Sequence, residues 1–376
     1  MFSNWFLKSF RILLLPFAII YWLIIWLRDF FYNQNFFKSS SFGLPVISVG
    51  NLSVGGTGKS PMVEYLVEML RPQFRPATIS RGYKRKTKGY ALADEHSTAL
   101  DIGDEPMQFH LKFPDVPVAV GEERLVAIPQ LLHDKPDIDV IILDDAFQHR
   151  SIRAGLNILL TDYENLFTRD FYLPTGDLRD LKSAYKRADI IVVTKCNPDL
   201  SAEEALEIKN EIRPLKHQEI YFTSLKYGQP VHVTDKNHVK LDEQTEILLV
   251  TGIANPHHLK NYVEENSRAY YMMQYRDHHI FRIDDLRDIK KRFDYIEGNN
   301  KIILTTEKDA VRLMKFKYEL HQLPFYLIPV RHHFLFDEEG KFHDRVVKFI
   351  SDFQSQQSKP AIIPQETKLS SKELAK

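Results

Sequence analysis

The sequence predicts an α/β fold: a mostly parallel sheet with helices on both faces, a membrane-associated helix before it and a smaller α/β domain after it. Three observations carry that expectation. Residues 46–70, VISVGNLSVGGTGKSPMVEYLVEML, read as a short strand, a glycine-dense loop and a helix with apolar positions at helical spacing. The apolar runs DVIILDD, LNILLTD and ADIIVVTK look like buried strands separated by helical or loop segments, the alternation of a parallel sheet covered on both sides. Residues 12–27, ILLLPFAIIYWLIIWL, carry no charge.

In chain order, residues 1–40 are the membrane-associating segment. A secretory signal would lead into a small-residue cleavage site, but Arg28-Asp29-Phe30-Phe31 follows instead. A transmembrane span asks for about 20 apolar residues, more than this run supplies, and Pro16 lies inside it. A helix lying in one leaflet suits the run better than either reading, or than a buried core helix. Trp5, Trp22 and Trp26 would sit near the headgroups, and Lys8, Arg11 and Arg28 would snorkel. Residues 41–228 then form the core, with PVISVG and PATISRGY as its first strands. The polar stretch 229–244 is a linker or small hairpin. The runs EILLVTGI, KIILTTEKDA and FYLIPV, with DLRDIKKRFDYI as a helix, make the smaller domain over 245–353. Residues 354–376, polar and proline-containing, read as a disordered tail.

Composition sets outer limits. A chain of 376 residues holds two domains, or one with additions. Fifty Lys+Arg balance fifty Asp+Glu, which leaves no overall bias towards nucleic acid. We expect no nucleic-acid partner and no obligate protein partner. The single cysteine, Cys196, excludes an internal disulfide framework and a cysteine-rich zinc site.

The glycine-dense loop has the parts of a phosphate-binding loop, so the core reads as P-loop NTPase-like. Such a loop needs backbone N–H groups converging on an anion, a lysine for the β/γ-phosphates and a hydroxyl for Mg²⁺. Ser53, Val54, Gly55, Gly56, Thr57, Gly58, Lys59 and Ser60 form the ATP-binding set, with Lys59 on the phosphates and Ser60 on the metal. Lys59 and Ser60 open the helix, whose N-terminus also favours phosphate. The pattern ordinarily begins with glycine. Ser53 stands in that place and must take a conformation glycine takes more easily. A P-loop enzyme also carries an acid at the end of a neighbouring apolar strand for Mg²⁺. VIILDDAFQH offers Asp144 and Asp145 there, with a helix cap as the structural alternative for one of them.

Several linked motifs narrow the class. VGNLSVGGTGKSP, SRGY, GDEP, VGEER, DDAFQHR, PTGDLRD, DHH and TTEKDA, in this order and spacing, resemble the tetraacyldisaccharide 4'-kinase family, the membrane-bound kinases of lipid A biosynthesis. The resemblance runs from the N-terminal segment to about Val346. It implies transfer of the γ-phosphate of ATP, with Mg²⁺, to the 4'-hydroxyl of an acylated glucosamine disaccharide 1-phosphate, giving lipid IVA. The expected place is the cytoplasmic face of the inner membrane, in monotopic or peripheral attachment.

The resemblance further implies Asp104 as the base and His278 as the histidine that tunes it. A carboxylate can take the proton of the attacking hydroxyl, and an imidazole can orient that carboxylate. Glu105 is the neighbouring candidate. Arg124 and Arg179 are candidates for phosphates, which a guanidinium matches bidentately, and Gln148 and His149 are further phosphate or substrate candidates. Each has a plainer reading. GDEP would be a turn capping a helix at Met107, DHH a solvated loop, and the arginines surface ion pairs with Glu122 or Asp180. Two residues depart from the family pattern: Asp177 where proline is common and Asp180 where glutamate is common. The basic run 84–88 is a solvated loop or a contact for anionic headgroups.

The competing class is a membrane-peripheral GTPase switch or maturation chaperone. IIVVTKCN resembles a guanine-reading loop, but threonine and Asn197 stand where asparagine and aspartate are usual. A switch hydrolyses GTP without an acceptor, whereas a kinase needs its acyl sugar.

Overall fold

The computed structural model describes residues 11–357, so Trp5, Lys8 and the expected tail beyond residue 357 lie outside the described residues. The first eight strands are β1 (Val46–Asn51), β2 (Pro76–Ser80), β3 (Ala91–Leu92), β4 (Val118–Val120), β5 (Val140–Asp144), β6 (Leu156–Asp162), β7 (Ile190–Thr194) and β8 (Glu219–Tyr227). Then come β9 (Val231–His232), β10 (Glu246–Thr251), β11 (Ala269–Gln274), β12 (Lys301–Thr306), β13 (Phe325–Ile328) and β14 (Val330–Phe334).

Two sheets result. The larger has nine strands in the order β14-β8-β7-β6-β1-β5-β2-β4-β3, parallel except for the outermost strand at each end. The smaller has the order β11-β10-β12-β13-β9, parallel except for β9. β1 sits between β5 and β6, where the strand order changes direction. Ligands of open α/β sheets bind at such a point, beyond the carboxyl ends of the strands. Val49 pairs with Asp144, so the loop after β1 and the acids after β5 emerge side by side.

Burial explains why the central strands are apolar throughout. Ile47 and Val49 pack on one face with Met62 and Leu66 of the helix Lys59–Leu70, and with Phe342, Val346 and Ile350 of the last helix. The opposite face buries Leu52, Leu159 and Ile191, together with Ile25 from the N-terminal helix. Helices on both faces satisfy the double-sided apolar pattern of a parallel sheet.

The division at residues 245 and 353 does not follow the sheets. β14 and the helix Glu339–Gln357 return to the larger sheet, with β14 pairing antiparallel to β8. The polar 229–244 stretch supplies β9 to the smaller sheet. The half-exposed edge strand β11, AYYMMQ, lacks the apolar run that marks β10 and β12.

The N-terminal helix covers Leu15–Asn33 after a 3₁₀ turn at Ile12–Leu14. Pro16 falls in its first turn, where a missing N–H breaks no helical bond, so it does not interrupt the helix. Ile12–Asn33 is long and apolar enough to cross a membrane by length and composition. Asp29 continues the helix beyond the uncharged run because Arg150 pairs with it at 2.6 Å. Only Ala18, Ile25 and Asp29 are buried on it. The outer face leaves Phe17 at 60%, Ile20 at 56% and Ile24 at 61% exposure, and Trp22, Trp26 and Phe30 stack in succession along the helix.

Candidate active site

The phosphate-loop candidate turns between β1 and its helix through Gly55 (φ 103°) and Gly58 (φ 82°), conformations that disfavour side chains. Its tip is open: a Cβ on Gly55 or Gly56 would meet nothing within 4 Å. Its base is clamped. The Thr194 hydroxyl donates to the Thr57 carbonyl at 3.0 Å, and His332 Nε2 lies 2.9 Å from the Gly58 carbonyl. Burial pushes His332 down to about 4. The ring is therefore neutral: Nε2–H donates to the carbonyl, and Nδ1 accepts from the Thr223 hydroxyl at 2.9 Å. Ser53 does not take a glycine-like backbone conformation. It has no positive φ, and it bridges to Leu178 as a short antiparallel extension.

Charges of both signs meet above this loop. Lys59 Nζ lies 3.3 Å from Asn51 Oδ1 and 3.7 Å from Asp145 Oδ1. Arg179 also reaches both Asn51 and Asp145, with a two-pronged grip on the carboxylate. The neighbouring acids therefore part company. Against its own burial, Asp145 is held at about 2 by Lys59 and Arg179. Asp144 is pushed up to about 7, first by burial and then by Glu105 and Asp145. One oxygen of Asp144 accepts from the Ser80 hydroxyl at 3.3 Å, and the other is buried with no hydrogen-bond partner.

A buried carboxylate with an unsatisfied oxygen, at the end of the strand beside the loop, fits a divalent cation. No group of three or more His, Cys, Asp or Glu arranged for a metal occurs among the described residues. Mg²⁺ does not need one, because it usually keeps waters and substrate phosphates in its shell. Asp144 and Ser60 suit that role. Asp145, occupied by two cationic side chains, suits it less.

The second sheet closes the site from the other side. The helix Asp104–Lys112 begins at Asp104 itself, after Gly103 (φ 97°), rather than at Met107. His278, at φ 58° in the loop after β11, places Nδ1 3.1 Å from Asp104 Oδ2. The loop is thus engaged rather than solvated. Arg312 approaches the same carboxylate oxygen at 3.7 Å. Lys308 donates to Glu105 Oε1 at 2.5 Å, and Ser60 Oγ lies 3.2 Å from that oxygen. Lys308 holds the Glu105 carboxyl below its usual range. A hydroxyl brought to Asp104 is thus next to the phosphate loop, one residue from the Glu105–Ser60 contact.

The remaining candidates sort themselves. Arg124 is not a surface ion pair: it is buried and donates to the carbonyls of Gly121 at 2.8 Å and Asp144 at 3.5 Å. Glu122 pairs instead with Arg85, which ties down the basic run. Gln148 Nε2 donates to the Asn51 carbonyl at 2.6 Å. Burial, with Arg124 and Arg81 nearby, pushes His149 down to about 4. Asp177 pairs with Arg11, and Asp180, fully buried, pairs with Arg28 and Arg187. Sequence reasoning missed Asn51, Lys308, Arg312 and His332. Asn51 and Lys308 lie inside the motifs VGNLSVGGTGKSP and TTEKDA, which was the available signal. His332 has none, because RHHF marks only an edge strand.

A glycine-cradled loop at the switch point of a parallel sheet, with an acid on the next strand, defines the P-loop nucleotide-dependent class. Which member follows from the relatives. The chain belongs to the tetraacyldisaccharide-1-P 4'-kinase (LpxK) family, whose model matches residues 10–351. It is 45% identical to the tetraacyldisaccharide 4'-kinase of Flavobacterium johnsoniae, over 91% of this chain and 98% of that one. It is 42% identical to the same enzyme of Bacteroides thetaiotaomicron, over 90% and 93%. Among solved structures it is similar to LpxK from Aquifex aeolicus in complex with ATP, with a TM-score of 0.70 and 27% identity over 91% of this chain and 99% of that one. It is accordingly a kinase of lipid A biosynthesis, and the GTPase-switch alternative is not favoured.

Proposed function

We propose that this chain moves the γ-phosphate of ATP onto the 4'-hydroxyl of an acylated glucosamine disaccharide 1-phosphate at a membrane surface. Its expected place is the cytoplasmic face of the inner membrane. The meeting of the Asp104–His278 pair with the phosphate loop carries this reading, since a kinase must hold a base beside its nucleotide. The family membership and the ATP complex of the Aquifex relative support it.

The arrangement supports the following roles. Backbone N–H groups of the loop residues 55–60 cradle the phosphates, and Lys59 supplies a point charge to them. Arg179, two-pronged and already beside Lys59, neutralises phosphate oxygens as charge develops. Ser60 and Asp144 would hold Mg²⁺, which when bound would offset the negative charge of the phosphates. Asp104 accepts the proton of the sugar hydroxyl. His278 Nδ1–H donates to its other oxygen and fixes its direction. The apolar outer face of the N-terminal helix supports attachment to the bilayer that supplies the acyl sugar.

The test uses the full chain in detergent with γ-labelled ATP, Mg²⁺ and a tetraacyl disaccharide 1-phosphate. Label in the lipid, absent when the acceptor lacks its 4'-hydroxyl, is the expected result. GTP hydrolysis without label transfer would support the switch instead.

A further inference from the structure

The N-terminal helix does more than present an apolar face. Two of its residues, and Arg11 just before the 3₁₀ turn that leads into it, grip one short segment, 177–180. Arg11 pairs with Asp177 at 3.0 Å, the Tyr21 hydroxyl donates to the Arg179 carbonyl at 3.0 Å, and Arg28 pairs with Asp180 at 3.4 Å. The other edge of that segment is bonded to the phosphate loop. Val54 N–H donates to the Asp177 carbonyl at 2.8 Å, Arg179 N–H donates to the Leu52 carbonyl at 2.8 Å, and Ser53 bridges Leu178. From between these two attachments the Arg179 side chain reaches Asn51 and Asp145. One layer of backbone therefore separates the helix from the phosphate site.

The polar contacts are poorly explained by anchoring. A helix that only attached the protein to lipid would need its outer apolar face, yet this inner face carries matched charges. Asp180 is fully buried between Arg28 and Arg187: Oδ1 faces Arg28 and accepts from the Leu181 N–H at 2.9 Å, and Oδ2 takes Arg187 at 2.9 Å. Two arginines share this one buried carboxylate, so its placement is tightly specified.

We propose that the N-terminal helix is a positioning element of the phosphate site, with Tyr21 and Arg28 setting segment 177–180 and so the placement of Arg179. Seating the helix at the membrane and ordering the nucleotide site are then one event. The proposal rests on the reading of Arg179 as a phosphate contact. Tyr21 and Arg28 act through Arg179 and touch no substrate.

The experiment uses the full chain carrying Tyr21→Phe and Arg28→Gln together, alone and in an Arg179→Gln background. Three readouts are taken: flotation with phosphatidylethanolamine–phosphatidylglycerol vesicles, melting temperature, and steady-state kinetics in detergent with saturating acyl acceptor. The double variant should float like the parent and stay folded, because Asp180 keeps Arg187 and the outer face is untouched. Its kcat/KM for MgATP should fall roughly 10- to 100-fold, the cost of displacing a positioned group by about 1 Å. Arg28→Lys, which keeps the charge, should recover most of that loss. In the Arg179→Gln background the same two substitutions should add little. Unchanged kcat/KM in the double variant, or an equal further loss without Arg179, overturns the proposal. So does lost flotation with normal kinetics, the pattern of an anchor alone. Normal kinetics in Arg179→Gln by itself would instead overturn the reading of Arg179 on which the proposal stands.

Discussion

The phosphate loop and the Asp104–His278 pair are held by different kinds of contact. The loop is clamped within one sheet: Thr194 and His332 bond its carbonyls, segment 177–180 runs alongside it, and its strand lies between two parallel neighbours. The pair joins two sheets. Around it the junction is mixed: ion pairs of Lys308 with Glu105, Arg312 near Asp104 and Lys112 between Glu64 and Glu307 surround a small apolar cluster of Ile102, Met107, Val120 and Val311. A small junction of mixed character permits relative motion more readily than a large apolar one. The phosphate site and Asp104 are thus both set by the larger sheet, while His278, Lys308 and Arg312 come to them from the second sheet. A kinase that must admit a large acylated sugar and then exclude water gains from that division.

Breaking the loop should have a large effect, of the same order as losing the base. Lys59→Ala should lower phosphoryl transfer about 10³-fold, in line with the loss of a charge-stabilising donor. The fold should survive, because Arg179 still joins Asn51 and Asp145. Label transfer and thermal melting check both halves, and near-normal turnover would remove the phosphate-loop assignment. His332→Ala should be milder, raising the KM for MgATP about tenfold through loss of the Gly58 carbonyl bond. Its kcat should change less, since the ring touches no reacting group.

The smallest effect concerns pH. The Asp144 carboxyl is raised to about 7, so between about pH 4 and 7 the folded chain holds a proton that the unfolded chain has lost. Stability of the nucleotide-free protein from this group is present at low pH and falls as pH rises through 7. Asp144→Asn should therefore melt higher than the parent above pH 7, and the difference should vanish near pH 4. Glu64, also raised to about 7 by burial and Glu307, contributes equally to both proteins and cancels. A pH-independent difference in melting temperature would show that Asp144 is ionised throughout.

The same contrast explains what could be read in advance. The loop is a contiguous demand on backbone geometry: glycines where φ is positive, a lysine and serine where the helix starts. Such demands are written in neighbouring residues. Asp104 and His278 are 174 positions apart, and no local pattern joins them; only the order of motifs across a whole family does. The five apolar strands around β1 were legible because both of their faces are buried. β11 and β14 were not, because edge strands carry polar residues on one side. Of the site, His332 stayed hidden for that reason, and the clasp of Arg28 on Asp180 because ion pairs between distant elements leave no spacing to detect.

The pairing of Asp104 with His278 across the two sheets is the claim on which this account stands, and a double-mutant cycle on kcat tests it most directly. Asp104→Ala should lose roughly 10²–10⁴ of the rate, the contribution of a positioned general base. His278→Ala should lose less, and the double variant should be no slower than Asp104→Ala, because residues acting as one unit do not lose rate independently. Affinity for ATP should hold in all three. Losses that multiply would show that the two side chains act separately, with Glu105 the next base to test.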